Sequence, residues 1–197
     1  MNYNRKILKR RSVRLRDYDY SREGAYFITI CTNNRSEILG YIENSKIILT
    51  LSGSVIQDLW IEISKIYKDI ELDQYVVMPN HIHGIIVITE KMDSHRRGLI
   101  NQTPTKWIMM KNPSQTLGKI IRRFKAKASY VVHKTGFVDF RWQRNYYDHI
   151  IRNDRELRKI REYIMNNPTK WDLDRENPHS ENFEVDHEIY FKDIIGI

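Results

Sequence analysis

Tyr75-Val76-Val77-Met78-Pro79-Asn80-His81-Ile82-His83-Gly84-Ile85-Ile86-Val87-Ile88 is the stretch that decides how this chain folds. It is apolar and β-branched on both sides of Pro79-Asn80, as strands are. Pro79 has no N–H to give to a ladder. The run therefore breaks into two strands, about Glu71–Met78 and His81–Thr89, with Pro79-Asn80 as the turn. Side chains alternate along a strand, so His81 and His83 share a face with Ile85 and Val87, and Ile82, Gly84 and Ile86 face the other way. Both faces are apolar beyond the histidine pair, which points to a central strand.

Upstream of this pair, Tyr26–Thr32 reads as a strand and Asn33-Asn34 as a turn. Ile38–Ile42 and Lys46–Leu51 form a short hairpin around Glu43-Asn44-Ser45. Val55, Ile56, Leu59, Trp60, Ile63 and Ile66 recur at helical spacing and predict a helix over Ser52–Tyr67. Downstream, residues 90–113 are polar and read as a mobile loop. Ser114 is placed to cap a helix running to about Lys134, with a stripe of Leu117, Ile120, Ile121, Phe124, Ala128 and Val131, and Gly136 ends it. A last strand over Tyr146–Ile151 precedes a helix capped by Asp154 and terminated by Pro168. Strands and helices in this order, without regular βαβ alternation, imply an α+β fold: an antiparallel sheet with helices packed on it.

The 197 residues suffice for one domain with its own core, and 41% are hydrophobic. Charge is unevenly spread. Residues 172–197 hold eight acidic and two basic side chains, so −6 of a total of +8 lies there and the preceding part carries +14. A basic body of that size suits a polyanion, nucleic acid above all. The chain divides into a basic arm (1–20), a catalytic domain (21–171) and an acidic tail (172–197). Arg10, Arg11 and Arg14 in the arm, Lys119, Arg122 and Arg123 on the second long helix, and Arg144 are the candidate DNA contacts. The arm is equally readable as a solvated tail. The acidic tail is either an ordinary polar terminus or a competitor with DNA for the basic body. Cys31 is the single cysteine, which excludes an intrachain disulfide and a cysteine zinc site. With no signal peptide and no apolar run of membrane-spanning length, the expectation is a cytoplasmic protein without membrane contact.

The chemistry lies in two residue pairs. His81 and His83 share a strand face and suit a metal ion. Tyr163 and Asn167, four apart near the end of the last helix, also share a face. At 100° per residue Asn167 falls about 40° from Tyr163 and about 20° from Ile160, whereas Asn166 points away from Leu157 and Ile164. Each pair also has a plain reading: two histidines at a strand end, a half-buried aromatic and a helix-terminal asparagine. The chemical reading requires the pairs to meet. A divalent ion on His81, His83 and Asn167 would then polarise a phosphate, and Tyr163 would attack it and release a 3′-hydroxyl. Two imidazoles and an amide oxygen suit Mg²⁺ or Mn²⁺.

Longer motifs carry a resemblance over most of residues 10–171. They are Arg10-Arg11-Ser12-Val13-Arg14-Leu15 with Tyr18-Asp19-Tyr20; Gly24-Ala25-Tyr26-Phe27-Ile28-Thr29-Ile30-Cys31-Thr32; and Tyr75 through His83. Further on come Trp142-Gln143-Arg144-Asn145-Tyr146-Tyr147-Asp148-His149-Ile150-Ile151, Arg161-Glu162-Tyr163-Ile164 and Asn167-Pro168. Together they resemble the single-tyrosine HUH endonucleases, in particular the REP-associated tyrosine transposases of the insertion-sequence superfamily. The resemblance implies His81 and His83 as metal ligands and Tyr163 as the nucleophile that forms a 5′-phosphotyrosine. Many relatives carry Gln four residues after the tyrosine, where this chain has Asn167. It also implies a ferredoxin-like core, a homodimer, and single-stranded DNA with a hairpin, such as a REP element, as substrate in transposition. Two other functions compete. A non-catalytic binder of single-stranded or hairpin nucleic acid would keep the basic surface without needing Tyr163. A histidine-triad nucleotide hydrolase would want a further histidine where Ile85 stands.

Overall fold

The computed structural model describes residues 18–89 and 116–183, together with Ile189, Phe191, Lys192 and Gly196. The arm with Arg10, Arg11 and Arg14, the loop 90–113 and the proposed Ser114 cap lie outside the described residues.

The fold is α+β. Strands β1 (Gly24–Cys31), β2 (Gly40–Glu43) and β3 (Lys46–Leu49) precede helix α1 (Leu51–Ile66). Then follow β4 (Ile70–Val77), β5 (His81–Ile88), α2 (Leu117–Lys134), β6 (Tyr147–Ile151) and α3 (Asp154–Asn166). The main sheet is antiparallel with strand order β4-β5-β1-β6. Setting aside the β2–β3 hairpin, its strand–helix–strand–strand–helix–strand path is the ferredoxin-like split βαβ arrangement. The histidine-bearing strand is central, as its two apolar faces require, flanked by β4 and β1. The β2–β3 turn places Asn44 and Ser45 at φ 50° and 61°, the left-handed pair that matches the twist of a tight hairpin.

The two faces of the sheet carry different layers. Tyr26, Ile28, Ile30, Ile82 and Ile86 pack against Ile56, Trp60 and Ile63 of α1 and Ile120, Ile121 and Phe124 of α2. Phe27, Ile85, Tyr147 and Ile151 pack on the opposite face against Ile160 and Ile164 of α3 and against Phe191. The predicted alternation of β5 holds residue by residue. Gly84 faces the two-helix side, where a Cβ would lie 2.4 Å from the Trp60 ring, so the indole occupies the space that any side chain would need.

Three helix starts differ from expectation. Thr50 caps α1, accepting from Gly53 N at 3.2 Å, so the helix begins at Leu51, one residue before the predicted Ser52. Thr116 caps α2, accepting from Lys119 N at 3.3 Å. Asn153, not Asp154, caps α3, because its Oδ1 accepts from Glu156 N at 2.9 Å while Asp154 is already helical. Among the described residues no helix is long and apolar enough to cross a membrane.

Candidate active site

Strand register brings the first ligands into place. Cys31 pairs with His81 and Thr29 with His83 across β1 and β5. Their shared face lies under α3, which the Arg161 side chain ties to β4 through Asp73 (Nε to Oδ1, 3.0 Å). That bond from Arg161 holds the Asp73 carboxyl below its usual range. The His81 and His83 rings stand 4.3 Å apart between centroids, and both are buried.

Tyr163 reaches this pair from the last full turn of α3. Its Oη lies 3.1 Å from His83 Nε2 and 3.1 Å from Asp174 Oδ2. The structure thus brings the strand pair and the helix tyrosine together, as the chemical reading requires. Asn167, at the α3 C-cap, points inward and is 1% exposed, whereas Asn166 does not share its burial. The Asn167 Nδ2 donates to Asp174 Oδ2 at 2.7 Å.

Asp174 is the residue that the sequence reading missed. Its charge alone groups it with the acidic tail. Beyond Pro168, however, the chain turns back through a 3-10 turn, Trp171–Leu173, with Lys170 N bonded to Asn166 O (3.0 Å) and Asp174 N to Trp171 O (3.0 Å). This return lays Asp174 across Tyr163. The available signal was Trp171, a large apolar residue just beyond the helix and buried in the structure. The segment continues inward: Glu176 N donates to Asp174 Oδ1 at 2.6 Å, and Glu176 itself is fully buried. Its carboxylate pairs with Arg35 and accepts from Cys31 Sγ at 3.4 Å. Burial, reinforced by Glu176, pushes the Cys31 thiol well up, so it stays protonated.

Electrostatics set the protonation of the cluster. Burial, then the neighbouring His83, brings the His81 pKa down to about 3, so its ring is neutral at pH 7. Burial alone would raise Asp174, but His83, His81 and the Asn167 amide outweigh it and keep the carboxyl below the usual range and ionised. His83 Nδ1 lies 2.8 Å from the Thr29 hydroxyl and His81 Nδ1 lies 2.8 Å from Asn80 Oδ1, which fixes both rings.

The donor set suits a divalent cation. His81, His83 and Asp174 offer ligand atoms that lie within 4.8 Å of one another. Two buried atoms in the cluster, His81 Nε2 and Asn167 Oδ1, have no hydrogen-bond partner among the described residues, and each carries a lone pair suited to a metal. Two imidazoles and a carboxylate form a set that could hold a divalent ion while leaving coordination positions open.

The predicted DNA contacts that fall within the described residues are not part of this cluster. Lys119, Arg122 and Arg123 are exposed on α2, on the opposite side of the sheet, with Arg123 over the Tyr67 ring at 5.8 Å. Arg144 is exposed in the turn before β6. Lys125 braces that turn, donating to Gln143 O at 2.6 Å and Asn145 O at 2.7 Å, with burial bringing its pKa down to about 8.

No family profile matches the chain. A Haemophilus influenzae protein, described as uncharacterized, is 41% identical over 173 residues, covering 88% of this chain and 96% of its own length. The chain belongs to the family of that protein. Among solved structures, the fold resembles that of a REP-associated tyrosine transposase bound to a REP hairpin, with TM-score 0.52 and 23% identity over 80% of this chain and 73% of the other.

Proposed function

We propose that this member of the Haemophilus influenzae protein's family is a metal-dependent transposase-type enzyme. In this reading it cleaves and rejoins single-stranded DNA through a 5′-phosphotyrosine on Tyr163. The observation that carries the proposal is the Tyr163 hydroxyl, 3.1 Å from both His83 Nε2 and Asp174 Oδ2, beside a His81 Nε2 that has no partner among the described residues. The transposase of like fold was solved with a REP hairpin, which supports a DNA hairpin as the substrate class here.

His81 and His83 would hold a divalent ion, with Asn167 Oδ1 and the Asp174 carboxylate as oxygen donors. When bound, the ion would draw charge from the oxygens of the scissile phosphate. Thr29 and Asn80 keep the two imidazoles oriented. Asp174 Oδ2 accepts the Tyr163 O–H hydrogen bond and receives that proton as the Oη–phosphorus bond forms. The phosphorus–O3′ bond breaks, and its electron pair leaves on the 3′ oxygen, which takes a proton from water. Tyr163 then holds the 5′ phosphate as an ester. A new 3′-hydroxyl reverses the same steps, so rejoining needs no nucleotide cofactor. Phe27 (ring centroid at 6.0 Å) supports the Tyr163 ring against the sheet.

The test is metal-dependent cleavage of labelled hairpin DNA. Mn²⁺ should support cleavage, EDTA should stop it, and His81→Ala or His83→Ala should abolish it, with Asn167→Ala milder. Cleavage that survives EDTA would overturn the metal assignment.

A further inference from the structure

Asn80 is fully buried and ties its neighbour His81 to two segments that are remote in sequence. Its Nδ2 lies 2.8 Å from the Glu176 carbonyl oxygen and 3.3 Å from the Arg35 carbonyl oxygen. Carbonyl oxygens only accept, so the group that faces them must be the amide NH₂. The orientation of the Asn80 amide is therefore determined, and Oδ1 faces His81 Nδ1 at 2.8 Å. An amide oxygen also only accepts, so His81 Nδ1 must carry a hydrogen. A neutral imidazole has one N–H, which leaves Nε2 with a bare lone pair. That is the atom found buried and without a hydrogen-bond partner among the described residues.

The two carbonyls are themselves held. The Arg35 guanidinium pairs with the Glu176 carboxylate and donates to Gln143 Oε1, fixing the chain on both sides of Asn80. The backbone carbonyl of Asn80 accepts from Thr32 N at 2.8 Å and from Thr32 Oγ1 at 3.0 Å. Arg35 sits at φ 54°, a left-handed conformation that a non-glycine residue adopts only where its surroundings demand it.

We propose that Asn80 is a positioning residue that locks His81 as the Nδ1-protonated tautomer and so presents a bare Nε2 to a divalent cation. The tautomer follows from the hydrogen bonds alone, and its use rests on the reading of His81 as a metal ligand. A free histidine side chain favours the Nε2-protonated tautomer, so the preference at His81 is imposed by the fold. The Arg35–Glu176 pair extends the lock to the segment that also delivers Asp174.

Long-range ¹H–¹⁵N correlation spectra of the metal-free, full-length protein at pH 7 test the first half. His81 should show a protonated Nδ1 and an unprotonated Nε2. A protonated Nε2, or a mixture of tautomers, would overturn the proposal. Mn²⁺ titration calorimetry tests the second half. Asn80→Ala, shown to be folded, should release the tautomer and weaken Mn²⁺ binding about 10- to 100-fold. Unchanged affinity in the folded variant, or no Mn²⁺ uptake by the wild type, would overturn the ligand role. The wild-type spectrum decides the tautomer even if the alanine variant fails to fold. Neither measurement uses DNA, so a failure of Tyr163 as nucleophile leaves both results standing.

Discussion

At the level of single side chains, Asp174 serves several donors at once. Its Oδ2 accepts from Tyr163 and Asn167, and its Oδ1 accepts from the Glu176 amide. Asp174→Asn keeps the shape and removes the charge and the proton acceptor. It should slow covalent attachment to DNA by about 10²- to 10⁴-fold in single-turnover assays, the usual worth of a positioned base. A rate within twofold of wild type would remove Asp174 from the chemistry. His81 supports a pH prediction. Its folded pKa, about 3, lies below the unfolded value near 6.5, so between those values the unfolded chain binds more protons. Stability should therefore fall as pH drops from 6.5 toward 3, by up to about 1.4 kcal/mol per pH unit from this group. His149, also lowered by burial, adds to the slope, and Asp174 adds only below its ordinary carboxyl range. Urea unfolding of the metal-free protein should show the decline, and His81→Gln should flatten it. Equal slopes for wild type and variant would contradict a buried, neutral His81.

At the level of elements, Gly84 tests the packing of β5 against α1. Gly84→Ala sets a Cβ 2.4 Å from the Trp60 ring and should cost about 1–3 kcal/mol of stability, the usual penalty of overpacking. A variant as stable as wild type in urea would show that Trp60 has room to move. Most elements were legible because burial writes itself into spacing. Alternation over His81–Ile88 assigned both faces of β5, and the 3.6-residue period placed Tyr163 and Asn167 on the inward side of α3. Helix starts were less legible, since Thr50, Thr116 and Asn153 each stand beside other plausible capping residues. Asp174 and Thr29 were illegible for a different reason. Thr29 reaches His83 only through the β1–β5 register, and Asp174 reaches Tyr163 only through the reversal at residues 167–173. Neither register nor reversal leaves a periodic trace in the sequence.

At the level of the whole molecule, the α2 cations and the candidate chemistry occupy different places among the described residues. The α2 cations lie across the sheet from the cluster under α3, and the segment that the charge count sets apart as an acidic tail supplies Asp174 and Glu176 to the buried network. The central claim is that this network serves one oxygen, Tyr163 Oη. Its most direct test is incubation of a labelled single-stranded DNA hairpin with Mn²⁺ and either the wild type or Tyr163→Phe, followed by denaturing electrophoresis and mass spectrometry. The substitution removes the hydroxyl and keeps the ring that packs beside Phe27 and His83. The wild type should give a covalent adduct mapped to Tyr163, and Tyr163→Phe should give none while binding the hairpin within a few-fold. Equal adduct in the variant, or a wild-type adduct mapped to another residue, would contradict the account.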